Sequence, residues 1–397
     1  MKFSDLLKAA SVNSLILLMF RISSLLLSIL LINNLKVESF ANFQLIKNVI
    51  GYLLIAMEFG FFHYGNNLFN KDLYKFKSIL YNFIKLRILI FLIVFPLIII
   101  YLYLNQFELE IIFLSSLLCI ILIFSYEGAL VAINKNLQLN LILLSKTLIF
   151  LFLIFNYKDV LTINKVLIFF IYSVIFSIVI QYIIYLSFKD ENIKILNKFY
   201  KFAFNAKNYL IISLSNHFAI YTGLTISPFL ILKSEVAIYA ILLLVLEVLL
   251  IPLFQLQKII MPDYSKVKDK QMILKSLTLF LIALVVGLFI HYFFGNFFFN
   301  LLLNDKYPLD QIIRYVYFLF PIALLRGLTA MINLYYYYNN YILFQRKISL
   351  ITAFFSLFVF FSFGKFLGLY GFILGLFFVE LLFLILSKKF IIKFIRS

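Results

Sequence analysis

The sequence predicts an all-α polytopic membrane protein of about twelve transmembrane helices, arranged as two six-helix lobes related by pseudo-two-fold symmetry. Composition is the first reason. Of the 397 residues, 64% are hydrophobic and only 13% are charged, with a mean hydropathy of +1.07, whereas soluble domains carry about 25% charged residues. The second reason is the length of the apolar runs. Most reach the ~20 residues that a helix needs to cross a ~30 Å hydrocarbon core, so they indicate helices rather than a barrel. The third is internal likeness. Glu127-Gly128 through Ile133-Asn134 matches Arg326-Gly327 through Ile332-Asn333 at an offset of 199, and Val37–Phe43 resembles Ser234–Tyr239 at an offset of 196 to 197. Both offsets are close to half the chain. Six spans per half is an even number, so the halves share one orientation and an axis along the membrane normal, which suits alternating access.

The spans follow in order. Span one, Val12–Ile32, comes after Lys2 and Lys8 and closes at Asn33-Asn34-Leu35-Lys36; its length exceeds the 7–15 residues of a cleaved signal, so we read it as retained. Next come Phe40–Phe62, Ile84–Leu104, Ile111–Ile133, Leu139–Phe155 and Val166–Phe188. The hydrophilic stretch Lys189–Asn208 then divides the chain, giving a lobe at 1–188, a linker at 189–208 and a lobe at 209–397 with a basic tail. The second lobe holds Tyr209–Leu232, Val236–Ile260, Ile273–Phe294, Ile312–Ile332, Ile348–Phe363 and Leu367–Leu386. Spans five and eleven are short and need their flanks to cross.

Charge sets the orientation. The net charge of +18 would suggest nucleic acid in a soluble chain. Here the N-terminus, the even loops and the C-terminus hold 25 Lys and Arg, from Lys2 through Lys71, Lys85, Arg87, Lys146 and Lys198 to Arg396; the odd loops hold 7, including Lys158, Lys306 and Arg314. This asymmetry predicts a bacterial cytoplasmic-membrane protein with both termini in the cytoplasm, anionic membrane lipids against its basic tail, and no nucleic-acid partner. The odd loops are too short to fold as an external domain. The single cysteine, Cys119, lies in an apolar run and excludes an intrachain disulfide. No metal-ligand spacing or cofactor motif stands out, so we expect no cofactor and no metal.

Ionisable residues inside the spans are the functional signal, because a charge at bilayer depth costs roughly 2.5–3.5 kcal/mol and faces a bundle interior or a wet cavity. Arg21 shares one helical face with Ser14, Ser24 and Ser28; Lys47, Gly51 and Glu58 share another, with Gln44 one turn earlier. Glu247 lies near the middle of span eight, where an isolated carboxylate can take up a proton. Glu127 and Arg326 occupy equivalent positions with opposite signs; we expect both to face a bundle interior, each a candidate partner for the other. Ser213, Asn216 and His217 share a face of span seven and offer hydrogen bonds to sugar hydroxyls, against the plainer reading of His217 and His291 as core histidines. Glu380 in span twelve has no partner apparent from sequence. Tyr335–Tyr338 and Tyr341 lie at a span end, where tyrosines sit at the headgroup level.

Four stretches carry a resemblance to a known family. They are an extended Lys36-Val-Glu-Ser-Phe-Ala-Asn-Phe43 before span two; Glu58-Phe59-Gly60; Ser234-Glu-Val-Ala-Ile-Tyr239, closed by Met261-Pro262; and Gly368-Leu-Tyr-Gly371 opening span twelve. They resemble the multidrug/oligosaccharidyl-lipid/polysaccharide (MOP) exporter superfamily, nearest its O-antigen and capsule flippases; the first stretch has Ala41 where that family commonly has glycine. The resemblance implies a V-shaped, MATE-like pair of lobes whose spans one, two, seven and eight line a central cationic cavity. It implies a substrate, undecaprenyl-pyrophosphate-linked oligosaccharide, turned between leaflets with no bond made or broken, so the chain is not an enzyme. Arg21 and Lys47 then suit the diphosphate, as basic residues of spans one and two do in several such exporters, against interhelical pairing with Glu58 or Glu247, or snorkelling of Lys47. Glu58, as a gate-side or structural salt bridge to a loop lysine, joins Glu247, Glu127 and Arg326 as coupling or gating candidates, with H+ or Na+ as the coupling ion.

Three rivals frame that expectation. A membrane polymerase or glycosyltransferase needs a large outer loop bearing acids or arginines. A cation-coupled multidrug exporter of the same superfamily favours acids and aromatics over a cationic cavity. The lipid II flippases usually have fourteen spans.

Overall fold

In the computed structural model every regular element among the described residues is helical. These residues are 3–58, 76–125, 127, 130, 135–186, 199–267, 270–303, 306–338 and 341–388. In chain order the helices are α1 (Phe3–Asn34), α2 (Val37–Glu58), α3 (Phe76–Leu104), α4 (Leu109–Leu122), α5 (Asn136–Asn156), α6 (Ile163–Leu186), α7 (Phe199–Ile226), α8 (Lys233–Val267), α9 (Lys270–Leu303) and α10 (Leu309–Tyr338). The last run, Ile342–Leu386, turns at Gly368 and forms α11 (342–367) and α12 (369–386). Among the described residues ten helices are long and apolar enough to cross a membrane, the Ile342–Leu386 run counted once, and α4 is a shorter apolar helix. Each of the twelve expected spans thus meets a helix, and the chain is a multi-pass membrane protein.

Contacts divide the chain into two compact units, Met1–Leu214 and Ser215–Ser397, the division falling inside α7. In the first unit α1 packs along α5, α5 on α6, α2 on α3 and α4 on α6. Phe170 of α6 joins the layers, its ring 6.4 Å from Phe43 of α2 and 5.3 Å from Phe150 of α5. In the second unit α10 is gripped by α8, α9 and the α11–α12 pair. In each unit the most buried span among the described residues belongs to the helix that opens with the repeated stretch Val37–Phe43 or Ser234–Tyr239. In α2 67% of the apolar window is buried and in α8 61%, against 22% in α1.

The structure corrects several sequence expectations. The stretch Lys36–Phe43 is not extended. It forms the first turns of α2, starting with the Phe40 N–H bonded to the Lys36 carbonyl, and buries Phe40, Ala41 and Phe43. A helix closes its own backbone hydrogen bonds, which a low-dielectric setting demands. Span four is interrupted: α4 ends at Leu122, and Ile123 to Ser125 continue in tighter i→i+3 turns. Arg87 and Lys146, grouped above with loop cations, lie inside α3 and α5; the basic asymmetry survives their removal. Tyr336 is fully buried with Ile348 and Phe383, under Tyr335, Tyr341 and Phe344. Residues Phe59, Gly60, Gly128 and 189–198 lie outside the described residues.

Gly368 has φ +60° and ψ −138°, a conformation that residues with a Cβ rarely adopt. Three residues later a Cβ on Gly371 would overlap the Phe363 carbonyl. These two glycines let the chain reverse direction with α11 and α12 in backbone contact.

Candidate functional site

Two sets of polar side chains stand inside the helices, one in each unit. In the first unit, Arg21 is half-buried on α1, its guanidinium 5.7 Å from the ring of Phe20. Ser28 of the same face donates to the Ser24 carbonyl at 3.0 Å. Lys47 is the only exposed side chain between Phe40 and Ile50. It stands at the midpoint of α2, about 15 Å from either end at ~1.5 Å per residue. Among the described residues, neither Arg21 nor Lys47 has an ion-pair partner. The interhelical pair expected with Glu58 does not form among the described residues.

That carboxylate is engaged elsewhere. Glu58 ends α2, half-buried and within electrostatic reach of Arg87 and Glu127. Arg87, 1% exposed, donates from one nitrogen to the carbonyls of Ile123 (3.2 Å) and Ser125, and its guanidinium lies 4.4 Å from the Phe83 ring. Arg87 therefore supplies donors where α4 breaks and its last carbonyls have no helical partner. Glu127 pairs with Lys146 of α5 at 3.3 Å. Among the described residues the cation within electrostatic reach of Glu58 is Arg87 of α3; Lys71 and Lys75 of the following loop lie outside the described residues.

In the second unit, Arg326 of α10 pairs with Glu380 of α12 at 2.8 Å, and the Glu380 side chain is 7% exposed. Glu127 and Arg326 are each neutralised inside their own unit, by Lys146 and by Glu380. Arg326 also lies within electrostatic reach of His217. His217 packs on Tyr221, ring centroids 4.4 Å apart, and the Tyr221 hydroxyl donates to Glu247 of α8 at 2.5 Å. Asn216 accepts from Ser349 of α11 at 3.1 Å. One polar cluster thus joins α7, α8, α10, α11 and α12. Ser213, also half-buried on α7, belongs to the first unit. His291 is a core histidine, enclosed by the rings of Phe299, Tyr317 and Phe320.

No protein-family model matches the chain, and no curated protein matches it. Solved structures do. The chain is similar to an inward-facing multidrug resistance MATE family transporter of the MOP superfamily (TM-score 0.68, 12% identity, 98% of this chain and 99% of that one). It is similar to the lipid II flippase MurJ in an inward closed conformation (TM-score 0.70, 14% identity, 95% and 87%). An outward-facing MATE structure gives a TM-score of 0.66 at 13% identity, over 98% and 95%. The fold is that of the MOP-superfamily transporters.

Within this MOP fold, sequence reasoning missed three participants. Arg87 carried a readable signal, an arginine inside the expected span Ile84–Leu104, and such a residue in a membrane helix marks a buried partner or a wet cavity. Lys146 lay inside span five in the same way. Tyr221 gave none, because nothing marks one tyrosine among 26 as the ligand of a carboxylate.

Proposed function

We propose that the chain turns an undecaprenyl-diphosphate-linked oligosaccharide from the cytoplasmic to the outer leaflet of the bacterial cytoplasmic membrane, for O-antigen or capsular polysaccharide synthesis. One observation carries the reading: α1 and α2 each bring a cation into the span that no carboxylate among the described residues neutralises. An exposed ammonium at mid-span is costly against lipid, so Lys47 faces water or an anionic ligand. A diphosphate meets that need. Arg21 binds its oxygens in bidentate fashion and Lys47 adds a compact point charge. The likeness in fold to a lipid II flippase supports a lipid-linked cargo.

In this reading Ser213, Asn216 and His217 contact sugar hydroxyls, and Glu247, oriented by Tyr221, is the group that exchanges H+ or Na+. Glu58 with Arg87, Glu127 with Lys146 and Arg326 with Glu380 hold or release helices as the cycle turns. The lobes 1–188 and 209–397 move as units on the 189–208 linker, with both termini cytoplasmic.

The test is complementation of bacteria lacking their own O-antigen flippase, in several glycan backgrounds, at matched membrane expression. Surface polysaccharide restored by the wild type and lost in Arg21→Ala and Lys47→Ala is the expected result. Purified protein should bind undecaprenyl diphosphate, with each variant weaker by about 10- to 100-fold, the range of a lost charge-assisted hydrogen bond. Rescue by all three chains overturns the site and keeps the function.

The likeness to multidrug MATE transporters favours a second reading, a cation-coupled drug exporter that uses Glu247. Drug resistance that rises with expression and falls in Glu247→Gln, together with failure of wild-type rescue, decides for it.

A further inference from the structure

We infer that the second unit carries a saccharide subsite at the first turns of α10, where the sugar of the cargo rests on the outer side of the membrane. The inference rests on the translocation reading above for its cargo, and on the second unit alone for its geometry. α10 begins after the ninth span, on the side away from the basic loops. A cavity of about 720 Å³ opens there, lined by Pro308, Asp310, Gln311, Arg314, Tyr315 and Phe318. That volume lies within the ~300–1,000 Å³ of ordinary ligand sites.

Two lining rings, Tyr315 and Phe318, form one part of the site, an aromatic shelf that Tyr370 backs from behind, outside the cavity lining. The Tyr315 ring stacks against Tyr370 of α12, centroids 6.5 Å apart at 26°, and Phe318 stands edge-on to Tyr370 at 5.6 Å and 77°. Tyr370 lies between the two glycines of the α11–α12 turn, so the same backbone that reverses the chain fixes this ring. Planar rings of this kind present flat apolar faces with polar tips.

Polar groups with spare hydrogen-bonding capacity form the other part. The Gln311 amide nitrogen donates to the Tyr315 hydroxyl at 3.3 Å. The Gln311 carbonyl and the Tyr315 O–H are left for a ligand. Asp310 and Arg314 stand one helical turn apart, yet among the described residues neither has an ion-pair or hydrogen-bond partner. Acceptors and donors are thus both on offer.

Charge selects the ligand class. One carboxylate and one guanidinium cancel, so the cavity favours neither a diphosphate nor an inorganic cation. A neutral molecule with apolar ring faces and many hydroxyls matches flat rings beside a carboxylate, an amide and a guanidinium. A saccharide has that chemistry.

The experiment uses the purified full-length chain on an array of immobilised bacterial glycans, with no lipid attached. The wild type should bind a subset of them. Tyr370→Ala and Gln311→Ala should each weaken binding by about fivefold, the scale of one aromatic or hydrogen-bond contact, while Tyr370→Phe keeps it. Binding of no glycan, or equal binding by wild type and Gln311→Ala at matched folded yield, overturns the subsite. Glycan binding through Tyr370 and Gln311 in a chain that fails complementation sinks the translocation reading and keeps the subsite. Complementation without glycan binding does the reverse.

Discussion

At the scale of single residues, the deciding fact is which charges are neutralised and which are not. Arg326 and Glu380 form a pair with little water access, and removing one partner of such a pair costs about 3–5 kcal/mol because the other charge is stranded. Arg326→Glu should therefore abolish folded yield in detergent, and Arg326→Glu with Glu380→Arg should recover much of it; no recovery would show that the pair does not hold α10 to α12. Arg87 behaves differently, because its nitrogen serves two carbonyls as well as a nearby carboxylate. Arg87→Leu should lower thermal stability in detergent by the equivalent of about 2–4 kcal/mol, from unsatisfied carbonyls and an uncompensated Glu58. Adding Glu58→Gln should return only part of that, since the carbonyls of Ile123 and Ser125 stay without their donor.

At the scale of elements, the α11–α12 turn separates two roles of glycine. Nothing lies within 4 Å of a Cβ built on Gly368, so Gly368→Ala suffers only backbone strain, on the order of 1–3 kcal/mol. A Cβ on Gly371 meets a carbonyl, so Gly371→Ala must push α11 and α12 apart. Melting curves of the two variants should rank Gly371→Ala as the more destabilised; the opposite order would mean that strain at the turn outweighs contact between the helices. The turn motif itself was legible in the sequence as Gly368-Leu-Tyr-Gly371. That Tyr370 stacks on Tyr315 was not, because the two lie 55 residues apart and only α10 packing against the α11–α12 pair brings them together.

At the scale of the whole molecule, the asymmetry of Lys and Arg predicts which loops face the cytoplasm. Cys119 is the single native thiol and is buried, so a Cys119→Ser chain accepts reporter cysteines at exposed positions. Lys158→Cys and Lys306→Cys should react with a membrane-impermeant maleimide on intact cells, and Lys135→Cys only after permeabilisation; the inverse pattern would turn the molecule over. The internal likeness has a counterpart in each unit: the repeated stretch opens α2 in one and α8 in the other, and each carries the most buried span there among the described residues.

The sequence by itself determined that the chain is a bundle of membrane helices, close to where each begins and ends, and that Arg21, Lys47, Glu58, Glu127, Glu247, Arg326 and Glu380 are the costly groups a bilayer would not tolerate without reason. Hydropathy and the 3.6-residue period are local properties, and they carry that much. Only the tertiary structure decided the partners: Arg326 with Glu380, 54 residues on; Glu247 with Tyr221; Arg87 at the break of α4; and, among the described residues, no ion-pair partner for Arg21 or Lys47. A helical period states which residues share a face. It does not state how far that helix is rotated against its neighbours, and a rotation of one residue position, about 100°, exchanges one set of partners for another.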